Sequence, residues 1–233
     1  MKTVILAGGY GTRISEYTKK IPKPMIKIGG IPLLTHIMRI FKFYGYNEFI
    51  IATGYKKKVI ENYYLKSKEF KNIKIIDTGR ETMTGGRLLR LKSYFDKKEN
   101  FFMTYGDGLS DINLNKLKKF HLNHGKIASV TAVRPPVRFG EMSIIKSKVT
   151  SFKEKPEIKS SWINGGFFIL NYKVFRFIKG DNISFEKQPL EKLSKYKNLM
   201  AYKHSGFWKC MDMKRDKDEL EEIYLKGAPW LEK

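Results

Sequence analysis

Three glycines in the run Leu6-Ala7-Gly8-Gly9-Tyr10-Gly11-Thr12-Arg13 follow a short apolar stretch, the pattern of a strand emptying into a loop. Such glycines let the backbone approach an anion closely and aim several N–H groups at it. The dinucleotide fingerprint needs Gly-x-Gly-x-x-Gly opening directly into a helix. Here the spacing differs, and the next segment, Lys19-Lys20-Ile21-Pro22-Lys23-Pro24, carries two prolines that forbid a regular helix. No Gly-Lys-Ser/Thr is present, so a Walker loop is excluded as well. What remains is a glycine loop ending in Arg13 and a proline-stiffened strip bearing Lys23. A guanidinium fork and an ammonium suit a polyphosphate and the negative charge that develops on it. Asp107, within Gly106-Asp107-Gly108, and Asp212, just after a short extended piece, are expected at the strand ends where open α/β sheets gather ligands. Paired hard carboxylates are what Mg2+ takes, phosphate oxygens and water filling its octahedron.

The elements that must position these groups alternate. Apolar runs at 3–7, 48–53, 73–78, 101–105 and 127–133 read as strands, and helical spacing appears at 33–41, 57–65, 87–95 and 114–124. After Pro135-Pro136 the pattern changes. Residues 142–145 and 149–152 read as a hairpin, 162–170 as a strand interrupted by Gly165-Gly166, and 172–178 and 189–196 as helices. Extended pieces at 199–202 and 207–211 precede a charged helix at 214–225. The expectation is one α/β domain over 1–233, with a Rossmann-like mixed, mainly parallel sheet flanked by helices. Residues 1–134 carry the strand–helix alternation, and 135–233 are expected to add mixed-sheet elements around a substrate site.

The chain has 233 residues, 46 Lys+Arg against 23 Asp+Glu and a formal net charge of +23. Only nine of the basic residues are Arg, and the 37 Lys are spread along the whole chain, which favours a lysine-rich solvated surface over a dedicated nucleic-acid reader. Aromatics at 14% and hydrophobics at 42% exclude wholesale disorder. No apolar run approaches the ~20 residues that cross a bilayer, and the N-terminal one is too short for a signal-peptide core. Cys210 is the one cysteine, so neither an internal disulfide nor a cysteine zinc cluster can form, and the reducing cytoplasm is the expected setting. Positive charge beside Cys210 could lower its pKa, though a small buried filler is the favoured role. His36 reads as part of a helix face, and His121 and His124 flank a helix end without carboxylate or cysteine partners at ligand spacing.

The loop and the Lys23-Pro24-Met25 strip resemble the signature of the sugar-1-phosphate nucleotidyltransferases, Gly-Gly-x-Gly-Thr-Arg followed by Lys-Pro with the catalytic lysine. Further matches follow in family order: Thr104-Tyr105-Gly106-Asp107-Gly108, Phe152-Lys153-Glu154-Lys155-Pro156, Asn164-Gly165-Gly166-Phe167-Phe168, Gly206-Phe207-Trp208 and Met211-Asp212. Asp77-Thr78-Gly79, Met83-Thr84-Gly85-Gly86-Arg87, Arg138-Phe139-Gly140 and the ending Gly227-Ala228-Pro229-Trp230 are similar to the cytidylyltransferase branch, whose members join CTP to glucose 1-phosphate. That branch carries an insertion where this chain has only residues 66–72.

The resemblance implies a nucleotide-diphospho-sugar transferase-like fold, Mg2+ on Asp107 and Asp212, and a homo-oligomer. It implies catalytic roles for Arg13, Lys23 and Asp107. CTP would lie along Leu6, Ala7, Gly8, Gly9, Gly11 and Thr12, against Thr84-Gly85-Gly86 and Tyr105-Gly106. In this reading the missing side chains of Gly8-Gly9 and Gly85-Gly86 make room for the base. A phosphorylated acceptor would meet Arg87, Gly140, Glu154, Lys155, Asn164 and Gly165. Its dianionic phosphate, with a second pKa of about 6, needs no general base. Each residue also has a plainer role: Asp107 as a turn former, Asp212 as a helix N-cap, Asn164 as a partner for its own backbone. Two alternatives stay open. One is the same transfer with another acceptor or with UTP or dTTP, and the other is a non-catalytic nucleotide- or nucleic-acid-binding protein.

Overall fold

The computed structural model describes residues 1–134, 141–153 and 161–231. Its central sheet has seven strands: β1 Thr3–Leu6, β2 Glu48–Thr53, β3 Asn72–Asp77, β4 Asn100–Tyr105, β5 Ala128–Val133, β6 Ile163–Asn171 and β7 Leu199–Lys203. The spatial order is β7-β5-β6-β4-β1-β2-β3. All neighbours run parallel except β6, which is antiparallel to both β4 and β5. The expected mixed, mainly parallel sheet is therefore present, and strands from both halves of the chain share it.

Alternation along the strands splits the apolar side chains between two faces. Ile5, Phe49, Ile51, Phe102, Phe167 and Ile169 pack on one side with α1 (Leu33–Phe43), where Phe41 meets Phe102 at 5.4 Å. Val4, Leu6, Ile50, Phe101, Met103 and Phe168 pack on the other with Leu88 of α3 (Thr84–Arg90). The flanking helices α2 (Lys57–Leu65), α4 (Leu114–His124), α5 (Gln188–Lys195) and α6 (Lys214–Leu225) complete the layers. Chain order and sheet order part at β1: the chain leaves it toward β2, while β4 pairs with it on the other side. Loops leaving the carboxyl ends of the central strands β1 and β4 therefore open a crevice.

Two local differences from the sequence reading have physical causes. The helix expected at 87–95 is α3, beginning at Thr84 and followed by a 3-10 turn at Lys92–Tyr94. Gly85 and Gly86 lie inside it because their bare faces rest on another backbone: a Cβ would come 2.6 Å from the Ile183 carbonyl oxygen and 2.4 Å from that of Asp181. Residues 172–177 form a 3-10 helix instead of an α-helix, started by the Asn171 side chain accepting from the Lys173 amide at 3.1 Å. The piece expected at 207–211 is a strand, Trp208–Cys210, paired antiparallel with Gly108–Ser110. Outside the sheet, Glu141–Ile145 and Lys148–Lys153 form the expected hairpin.

Candidate active site

The glycine loop leaves β1 with a carbonyl to anchor. Gly8 O accepts from the Tyr55 amide at 3.2 Å and from Arg87 Nη2 at 2.9 Å. A Cβ at Gly8 would strike the Arg87 guanidinium at 2.3 Å, whereas one at Gly9 would meet nothing within 4 Å. Gly11 has φ +65°, and a Cβ there would press on Thr18 at 2.8 Å. Thr12 and Arg13 then turn through a short 3-10 segment, Thr12–Ile14. Pro22, at ψ 147°, feeds a second such turn, Lys23–Met25, which aims Lys23 back toward the loop.

Lys23 Nζ lies between two acids, 2.7 Å from Asp107 Oδ2 and 2.8 Å from Asp212 Oδ1, with only 11% of its side chain exposed. Arg13 Nη1 reaches the other oxygen of Asp212 at 2.8 Å, its side chain otherwise open to solvent. Burial alone would push the Lys23 amine down, but Asp107 and Asp212 outweigh it and hold the ammonium above its ordinary pKa.

The two acids, far apart in sequence, meet through the Trp208–Cys210 ribbon: Cys210 pairs with Gly108, and the Met211 amide donates to Asp107 O at 2.9 Å. The N-cap role for Asp212 is overturned. The Asp216 carboxylate accepts the Asp212 and Met213 amides, both at 2.9 Å, and so leaves the Asp212 side chain facing Lys23. Two carboxylates already sharing one cation are a donor set of the right chemistry for Mg2+. Among the described residues, no group of three or more His, Cys, Asp or Glu side chains could hold a metal.

Two clefts meet at these acids. One, of about 420 Å³, runs along the glycine loop, Lys23, Thr84 and Gly106. The other, of about 250 Å³, lies over Asn164, Gly165, Trp208 and Cys210. Arg13, Tyr105, Asp107 and Asp212 line both. Tyr105 ends β4, and burial followed by the nearby Glu186 carboxylate keeps its phenol well above its ordinary pKa. Asn164 accepts its own chain's Gly166 amide at 2.8 Å, as its plainer reading had it, while still facing the smaller cleft. The Gly165 carbonyl is held by the Trp208 indole N–H at 2.7 Å.

Several expectations change. Arg87, expected on the acceptor, is buried beneath the loop and donates to the carbonyls of Thr53, Gly79, Gly8 and Arg80 and to the Thr78 hydroxyl at 2.6–3.1 Å. It braces the loop. Gly85 and Gly86 make room for the backbone at 181–183, and of the glycines expected to clear space for a base only Gly9 opens on empty space. Cys210 keeps its favoured reading as an unactivated thiol: burial, then Asp212 and Asp107, push it up to about 11. His121 Nδ1 and His124 Nε2 both meet the Ser129 hydroxyl, at 2.9 and 2.7 Å, a structural contact and not a carboxylate or cysteine partner. Gly140, Glu154 and Lys155 lie outside the described residues. Sequence reasoning missed Tyr10 and residues 80–83, which wall the larger cleft, and Glu186. Tyr10 lay inside the glycine motif and was legible there; Glu186 had no local signal.

The family model described as nucleotidyl transferase matches residues 2–212. The glucose-1-phosphate cytidylyltransferase of Salmonella typhimurium is 45% identical over 253 residues, covering 99% of this chain and 98% of that protein. An alignment of 253 positions against a chain of 233 means that this relative has residues the chain lacks. Mannose-1-phosphate guanylyltransferase 1 of Arabidopsis thaliana is 33% identical, covering 97% of this chain and 64% of that protein. A solved UDP-glucose pyrophosphorylase complexed with UDP-glucose superposes with a TM-score of 0.76 at 20% identity, covering 97% and 98% of the two chains, and shows the same fold.

Proposed function

Because the chain belongs to the nucleotidyl transferase family, we propose that it joins CTP to α-D-glucose 1-phosphate, releasing pyrophosphate and CDP-glucose. The observation that carries this is the meeting of two clefts at one cluster of Arg13, Lys23, Asp107 and Asp212. The larger cleft takes the nucleotide, its triphosphate along the glycine loop, and the smaller takes the sugar, over Asn164 and Gly165. Residues 1–134 supply most of the first and 135–233 most of the second.

An acceptor phosphate that is dianionic near neutrality attacks the α-phosphorus with its own oxygen; a new P–O bond forms as the bond to pyrophosphate breaks. No side chain need remove a proton. The chain's task is to bring two anions together and stabilise the charge that moves onto the leaving group. Lys23, kept protonated, does this from the floor, and Arg13 from the rim. Asp107 and Asp212 are the residues that would hold Mg2+, which supplies neutralisation of phosphate charge when bound. Lys155 and Glu154 are proposed to hold the acceptor phosphate and sugar hydroxyls, and Gly140 to contribute to acceptor binding. Among the described residues no helix is long and apolar enough to cross a membrane. The cytoplasm is the proposed setting, and a homo-oligomer the proposed assembly.

Residues present in the Salmonella relative and lacking here favour a second reading: the same transfer with another acceptor phosphate, or with UTP or dTTP. A matrix of nucleoside triphosphates against sugar phosphates, read by pyrophosphate release, separates them. CTP with glucose 1-phosphate should exceed every other pair; preference for another pair selects the second reading, and silence throughout refutes both.

A further inference from the structure

The segment 181–187 crosses the start of α3. The Met83 amide donates to Asp181 O and the Gly85 amide to Ile183 O, both at 2.9 Å. Beyond them stands Glu186, exposed and lining neither cleft, yet both of its carboxylate oxygens are occupied. Tyr105 Oη donates to one at 2.5 Å and Thr84 Oγ1 to the other at 2.6 Å; Thr84 in turn accepts from the Phe185 amide at 2.9 Å.

The two hydroxyls it gathers come from different walls. Thr84 borders the larger cleft alone, while Tyr105 borders both. The Tyr105 ring is also pressed from the acceptor side, where Gly166 at φ +81° leaves no room for a Cβ, which would sit 2.9 Å from Cδ2. The ring is thus confined on its face by β6 and at its tip by one carboxylate. We infer that Glu186 is a positioning residue for the transfer: through Tyr105 and Thr84 it fixes the partition between the nucleotide and acceptor clefts, and so the alignment of the two reacting phosphates. This rests on the function proposed above. Misplacement of reacting groups by about 1 Å can lower a rate on the order of a hundredfold, so a side chain that touches no substrate can matter at that scale.

The test compares wild type with Glu186→Ala, Glu186→Gln, Tyr105→Phe and the Glu186→Ala/Tyr105→Phe double variant, measuring kcat, KM for both substrates and melting temperature. Glu186→Ala should lose about tenfold to a hundredfold in kcat/KM, mainly in kcat, with little change in melting temperature. Glu186→Gln, keeping one acceptor oxygen, should recover part. Tyr105→Phe should lose a comparable factor, and the double variant should fall no further than the worse single variant, because both remove the same restraint. Multiplying losses in the double variant, wild-type kinetics in Glu186→Ala, or losses that merely follow a lowered melting temperature would each overturn the inference alone. An inactive wild type would instead refute the proposed function, and the inference with it.

Discussion

Replacing Lys23 by methionine keeps the length of the stem and removes the ammonium that joins Asp107 and Asp212. The bonds lost are those at 2.7 and 2.8 Å, made by a side chain only 11% exposed. Two charge-assisted hydrogen bonds at about 1.5–3 kcal/mol each set an upper bound of about 6 kcal/mol. Solvent reaching Asp107, whose side chain is 30% exposed, brings the expected loss nearer 2–4 kcal/mol. Two consequences of opposite sign follow. The acids no longer have an internal cation competing for them, so a divalent cation should bind Lys23→Met about tenfold to a hundredfold more tightly than wild type. Turnover should nevertheless fall about a hundredfold to a thousandfold, since the charge proposed to stabilise the leaving phosphates is gone. Calorimetric titration with Mn2+ in the absence of nucleotide reads the first, and pyrophosphate release reads the second. Unchanged metal affinity would refute the idea that Lys23 occupies the acids' shared position; wild-type turnover would refute its role in transfer.

Other substitutions probe the scaffold. Gly86→Ala would set a Cβ against the Asp181 backbone, where nothing flexible can yield, and should cost about 1–3 kcal/mol in urea unfolding while raising KM for CTP through a displaced α3. Arg87→Met leaves buried carbonyls under the glycine loop without a donor, and should destabilise by about 3–5 kcal/mol, a fall in melting temperature on the order of 10 °C. Stability should also depend on His121, whose burial, with His124 beside it, pushes its pKa down to about 4. The folded form resists protonation there, so its contribution is whole above the unfolded value of about 6.5 and is lost as pH falls from there toward 4. Urea midpoints across that range should decline more steeply in wild type than in His121→Asn, and parallel curves would exclude the effect.

Much of the fold was legible because buried parallel strands are continuous apolar runs: residues 48–53 and 101–105 read as strands on composition alone, and Pro32 announced α1. Lys23, Arg13 and Asp107 were legible because glycine and proline punctuation frames them. What escaped depends on pairing between distant segments. Nothing near Trp208 says that it will pair with Ser110, so the ribbon that joins Asp212 to Asp107 could not be derived locally. The two glycines of α3 suggested open space, but a missing side chain is equally what a second backbone needs, and the backbone at 181–183 fills that space. Asp212 looked like a helix cap because Asp suits one; instead Asp216, from within the first turn, reaches back to the Asp212 and Met213 amides. Glu186 is 81 residues from Tyr105 and 102 from Thr84, beyond any spacing rule.

The account rests on Asp107 and Asp212 forming one cation site where two clefts meet. Crystals grown with Mn2+ and a non-hydrolysable CTP analogue test this directly through the anomalous signal of the metal. The expected map has a manganese peak within coordinating distance of both carboxylates and the analogue's phosphates, with the cytosine in the larger cleft; a peak elsewhere, with the two acids still paired with Lys23 and Arg13, would contradict it.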